Sequence, residues 1–165
     1  MDTSFPSASA PADDVSQSVR PTTAIGWREF LRGLAEELDA VAGPAGRDSL
    51  LHATGCRMAR LLPLPAAASM QALEIEMNET LAAIGWGSVK LSLLEAERCL
   101  ILSHTGLPRI GAAGDPPGQW LAAALEGLYE TWMAQQPSAD ASFTARRQGG
   151  LTGECVVLRY GRLSG

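Results

Sequence analysis

Between Ser69 and Pro137 the hydrophobic period of the chain changes twice without interruption. Met70, Leu73, Met77, Leu81 and Ile84 recur at helical spacing, and Gly85-Trp86-Gly87 ends the pattern. Val89, Leu91 and Leu93 then alternate strictly, as a strand with one buried face requires. A Gly- and Pro-rich loop follows, and a second helical stripe begins at Leu121. Such a segment folds as helix, glycine hinge, hairpin and helix, one packing unit. It carries no catalytic motif, so it points to assembly more than to chemistry.

The flanks extend the same plan. Residues 1–24 are rich in Ser, Ala, Pro and Asp and too poor in large apolar groups to offset their ordering entropy, so they read as a disordered tail. Residues 25–165 read as a single domain, the usual reading for a chain of 165 residues. A first helix is expected from Gly26 to Val41, with Trp27, Phe30, Leu31, Leu34, Leu38 and Val41 in one stripe. Ala42-Gly43-Pro44 stops it, because glycine caps helices and proline cannot continue them. A second helix is expected from Ala45 to Leu62, with Gly55 in its middle, where close approach of another helix would compensate for the low propensity. A third covers Ala67–Ile84, and a fourth runs from Pro116 to Gln135. Strands are expected at Ser88–Leu94 and Arg98–His104, then at Ser142–Arg147 and Glu154–Tyr160. The fold class is therefore α+β: N-terminal helices followed by hairpin-helix-hairpin, with a four-stranded antiparallel sheet packed by about four helices.

Composition narrows the partners. The net charge is −5, which disfavours a general nucleic-acid binder. No apolar run approaches the ~20 residues that span a bilayer, so direct membrane insertion is not expected. The N-terminus lacks a basic start and an apolar core, so no secretory signal is read there. Cys56, Cys99 and Cys155 are odd in number and widely spaced, which suits reduced thiols rather than a disulfide framework or a zinc site.

Candidate chemistry is sparse. Glu74, Glu76 and Glu79 on the third helix invite comparison with a glycosidase, which needs two carboxyls facing each other ~5–9.5 Å apart across a sugar. Glu76 and Glu79 share a solvated face, and Glu74 has no evident partner. His52 and His104 are the only histidines, and nothing brings them together, so no metal, cofactor or catalytic triad is expected. Gly111-Ala112-Ala113-Gly114 lacks the lysine of a P-loop. Asn78-Glu79-Thr80 matches a glycosylation sequon but lies mid-helix. Trp120, Tyr129 and Met133 broaden the apolar face of the fourth helix beyond a core stripe, and Ile75 lies off the stripe of the third. These four are candidates for a subunit contact, with core packing as the alternative for the three on the fourth helix.

The stretch from Leu73 to Leu94, with Trp86-Gly87-Ser88-Val89-Lys90 at its heart, resembles the D-subunit family of bacterial cellulose synthase. The resemblance continues through Leu107-Pro108, Gly111, Ala113 to Pro116, Trp120-Leu121, Leu125 to Tyr129, Trp132 and Gln136-Pro137. It implies a non-catalytic accessory protein of cellulose secretion that forms a homo-octamer, a tetramer of dimers. It implies as partners the cellulose synthase complex, a proline-rich accessory protein and β-1,4-glucan, either guided through the oligomer or left untouched by an intracellular scaffold. The family's glucan passages are lined partly by N-terminal residues, which puts Ile25, Gly26 and Trp27 forward as glucan contacts by their place at the start of the first helix. With no secretory signal read, a cytoplasmic location is expected, the periplasm being the alternative.

Overall fold

A computed structural model describes residues 23–108, 119–149 and 155–162, and of residues 23–28 and 119 the backbone alone. The expected tail, the loop 111–114 and the start of the fourth helix at Pro116 lie outside the described residues. Among those described, three α-helices and one four-stranded antiparallel sheet alternate as the sequence predicts. Helix α1 spans Thr23–Leu61 and is broken inside by Gly43, at φ 65°, ahead of Pro44. Its two arms are the first two helices expected from the sequence. Helix α2 is Met70–Ala83, strand β1 Ser88–Leu94, strand β2 Cys99–Thr105, helix α3 Gln119–Ala134, strand β3 Phe143–Arg147 and strand β4 Cys155–Arg162.

Local chemistry sets these limits. Ser69 caps α2, its hydroxyl accepting the Ala72 N–H at 3.1 Å. At the other end Gly85 N–H donates to Ala82 and Trp86 N–H to Leu81 at 2.9 Å. That pair of bonds is a Schellman motif, and it needs the left-handed φ of 68° that Gly85 supplies. Gly87 lies so close to the end of β2 that a Cβ there would fall 2.0 Å from the Thr105 carbonyl oxygen.

The layers follow from what each face can bury. Helices α2 and α3 lie on one face of the sheet, α2 along β1 and α3 along β3 and β4. Leu73, Met77 and Leu81 from α2 meet Val89, Leu91, Leu102, Val156 and Leu158 from the sheet, together with Leu125, Tyr129 and Trp132 from α3. Helix α1 covers the other side of α3, where Ala35 and Leu51 pack on Trp120, Leu121, Ala123 and Ala124. Helix α3 is thus buried on both sides, which is why its apolar face is so broad. The α1–α3 crossing is a backbone contact: a Cβ at Gly55 would lie 1.9 Å from the Ala124 oxygen, and one at Gly127 2.0 Å from the His52 oxygen.

The strand order is β1-β2-β4-β3, so the first strand of each hairpin is an edge and the second is central. Each hairpin follows a helix that lies along its edge strand. The units α2-β1-β2 and α3-β3-β4 therefore repeat one arrangement about the middle of the sheet.

Candidate assembly surface

Helix α1 carries apolar side chains that the described residues leave largely exposed. In its first arm Ala35 is buried, yet Phe30 is 59% exposed, Leu34 41% and Val41 83%. These three recur at i, i+4 and i+11, so they fall within about 40° of one another around the helix. Of the stripe predicted from the sequence, Leu38 packs with the neighbouring Ala35 in the cluster against α3. Leu50 and Leu61 extend the exposed apolar surface along the second arm. Exposed apolar surface of this kind makes α1 a candidate contact surface.

The kink between the arms is held by charge. Arg47 reaches Asp39 at 2.8 Å and Asp48 at 2.9 Å, and Asp48 accepts from Arg147 of β3 at 2.8 Å. Burial alone would raise the Asp48 carboxyl, but its bonds to Arg147 and Arg47 outweigh this and hold it below its ordinary value. Burial likewise opposes the charge on Arg147, while Asp48 and Glu126 more than restore it. The two arms of α1 are thereby fixed against β3, and the stripe is presented on a stiff support.

The candidates from sequence separate on this frame. Ile75 is 54% exposed on the outer face of α2 and is available for a contact. Trp120, Tyr129 and Met133 are not: they are 3%, 0% and 4% exposed and belong to the core. Their surplus apolar surface, a candidate subunit contact on sequence grounds, is consumed within the chain because α3 is covered from both sides. Trp120 is for the same reason no platform for a sugar ring. Ile25, Gly26 and Trp27 lie on the first turns of α1, and their side chains lie outside those described.

The acids and histidines have structural partners. Glu74 Oε1 accepts from Lys90 Nζ at 2.9 Å and Oε2 from the Leu91 N–H at 2.6 Å. Those bonds, the lysine first, hold its carboxyl below the ordinary value. It is a satisfied carboxylate, not a general acid. His104 is fully buried, with Nδ1 2.5 Å from the Tyr129 hydroxyl. Burial pushes its imidazole down to about 4, partly opposed by the Trp86 carbonyl, which bears on the ring without bringing Nε2 within hydrogen-bond geometry. A neutral ring accepting from Tyr129, with its proton on Nε2, suits both neighbours. His52 lies on α1 beside Cys56 and faces Glu130 at 3.8 Å, far along the chain from His104. Among the described residues no group of three or more His, Cys, Asp or Glu side chains is placed to hold a metal ion.

A cleft of about 290 Å³ opens between the start of α2, the β1–β2 turn and the approach to β3. Met70 and Leu93 line it exposed and Tyr160 buried, the Tyr160 hydroxyl having no hydrogen-bond partner among the described residues. No local pattern signals the cleft, since its walls come from four separated segments. Asn78, Glu126 and Glu130 also escape a reading by motif. Each bonds backbone of an edge strand, and polar residues four apart on the helix before each hairpin, Glu74/Asn78 and Glu126/Glu130, are the signal that could find them.

Comparison with known proteins agrees with the resemblance read from the sequence. The family model described as the D subunit of cellulose synthase matches residues 14–161. Curated relatives named cellulose synthase operon protein D, from Komagataeibacter xylinus and Komagataeibacter sucrofermentans, are 42% identical over 118 residues, 72% of this chain and 76% of theirs. A further protein of that name from Komagataeibacter xylinus is 40% identical over the same length.

Proposed function

This chain belongs to the D-subunit family of cellulose synthase, and we propose that it serves cellulose synthesis as a non-catalytic, homo-oligomeric scaffold that organises synthase complexes or their nascent glucan chains. The observation that carries this reading is the exposed pair Leu34 and Val41 on one side of α1. An apolar pair of this kind is stable in water when a second surface covers it. The structural use of Glu74 supports a protein without hydrolytic chemistry. The eight-membered arrangement, a tetramer of dimers, is the form the resemblance implies, with the synthase complex and a proline-rich protein as partners. No described helix is long and apolar enough to cross a membrane. Three free thiols, Cys56, Cys99 and Cys155, favour a reducing compartment and hence the cytoplasmic side.

Sedimentation velocity at micromolar concentration tests the reading. The wild-type chain is expected as a discrete oligomer, and a Leu34→Glu/Val41→Glu protein as a folded monomer with unchanged far-UV circular dichroism. In cells that depend on this protein for ordered cellulose, the same variant should lose fibre alignment. A wild-type chain that remains monomeric ends the scaffold reading. Heat on titration with cello-oligosaccharides would favour the glucan-guiding alternative instead.

A further inference from the structure

An edge strand turns the N–H and C=O of every second residue outward, and that row is a template for another strand. The edges of this sheet are β1 and β3. The side-chain amide of Asn78 bonds Val89 in both directions, Oδ1 accepting its N–H at 2.7 Å and Nδ2 donating to its carbonyl at 2.9 Å. It does for β1 what a neighbouring strand would do. One turn earlier on α2, Glu74 accepts the Leu91 N–H. The other edge is treated alike from α3. Glu130 accepts the Ala145 N–H at 3.1 Å, and one turn earlier Glu126 accepts the Arg147 N–H at 2.8 Å. Phe143 N–H goes to the Asp140 carbonyl at 3.0 Å, and the Arg146 guanidinium folds back on the Ala145 carbonyl at 2.9 Å.

The two sets share one geometry. Four residues of helix advance about 6.0 Å and two residues of strand about 6.6 Å, so acceptors at i and i+4 meet successive outward N–H groups of an adjacent strand. Packing alone does not call for this: apolar residues at these helix positions would fill the space and leave the N–H row open. Three of the four groups are carboxylates, which accept and do not donate, and each also pairs with a cation of its strand: Glu74 with Lys90, Glu126 with Arg147 and Glu130 with Arg146.

We infer that Glu74, Asn78, Glu126 and Glu130 are edge guards that close both sides of the sheet to strand addition and so confine self-assembly to the helical faces. The inference deepens the oligomer reading, on which it rests only for the statement that helical faces are used. Symmetry gives it a graded consequence. One opened edge can pair only with the same edge of another copy, an isologous contact that closes as a dimer. Two opened edges allow β1 to pair with β3 of the next copy, a heterologous contact that need not close and grows into fibres.

The test compares four proteins with the wild type by sedimentation velocity and electron microscopy over a concentration series. Glu126→Ala/Glu130→Ala and Glu74→Ala/Asn78→Ala should each sediment as species heavier than the wild type, at twice its mass where the wild type is a monomer. The variant carrying all four substitutions should form species that grow with concentration. Glu126→Gln/Glu130→Gln, which keeps an acceptor oxygen at each position, should match the wild type. A folded fourfold variant with the wild-type size distribution overturns the inference. If that variant does not fold, amide exchange on the wild-type protein decides. The guarded amides of Val89, Leu91, Ala145 and Arg147 should exchange about tenfold or more slowly relative to Leu93, which has the next outward position on β1 and no such acceptor. Equal exchange at Leu93 and the guarded amides overturns it as well. A wild-type chain that proves monomeric ends the oligomer reading and leaves this one standing, because each mass is read relative to the wild type.

Discussion

A methyl group at Gly55 would press into the Ala124 carbonyl at 1.9 Å, and one at Gly127 into the His52 carbonyl at 2.0 Å. Both obstacles are helix backbone and cannot rotate away. Alanine is the better helix former by up to ~1 kcal/mol, so propensity favours the substitution and packing opposes it. Packing should win, because separating two helices along their length uncovers the contacts on either side. Gly55→Ala and Gly127→Ala are each expected to cost about 2–3 kcal/mol, read as a lower urea midpoint at unchanged slope. Gly33, on the same helix as Gly55, has nothing within 4 Å of an added Cβ. Gly33→Ala should therefore stabilise by up to ~1 kcal/mol. A sequence shows these three glycines within helical patterns and cannot rank them. The need for close approach at Gly55 is legible only as a demand for compensation, since the partner backbone lies far along the chain, at Ala124.

At the scale of elements, what can be read from the sequence divides by whether the signal is local. The period change around Gly85-Trp86-Gly87 places α2 and β1 within a few residues, because the Schellman bonds and the Ser69 cap are made within a turn of the residues that signal them. Ser69→Ala should cost about 1 kcal/mol and Ser69→Gly only a few tenths, measured by chemical denaturation. The reverse order would mean that the cap is not what fixes the start of α2. The break at Gly43-Pro44 is equally local and equally clear. The side chains of α3 are not: a run of apolar and small residues says that a helix is buried all round, but not whether the second cover is α1 or another subunit. Only tertiary packing assigns Trp120 to α1 and Tyr129 to the sheet. The α1 stripe shows the converse, a clear amphipathic pattern in which Leu34 and Val41 stay exposed among the described residues.

The molecule as a whole is built to hold its titratable groups in forms that acid disturbs. His104 has the largest consequence. Burial lowers its folded-state value to about 4 from 6.5, so between those limits the unfolded chain binds a proton that the native chain does not. Stability therefore falls as pH falls from 6.5 to 4, and the accumulated loss is on the order of 3 kcal/mol. Asp140 acts lower on the scale: hydrogen bonds from Ser142, then Arg162, hold it at about 2 against 3.8, so its contribution is complete above 3.8 and lost as pH falls toward 2. The depressed Glu74 and Asp48 work in the same direction, and protonating Glu74 also weakens its hold on the β1 edge. Denaturation free energy measured against pH on the Leu34→Glu/Val41→Glu protein, where association does not enter, should thus show two descending limbs. His104→Gln keeps an amide within reach of the Tyr129 hydroxyl and removes the titration. It should flatten the limb between pH 6.5 and 4 and leave the acid limb below 4 in place. An unchanged upper limb would mean that the buried imidazole takes up its proton without unfolding the chain, and the neutral His104–Tyr129 pair would then not be what fixes this part of the core.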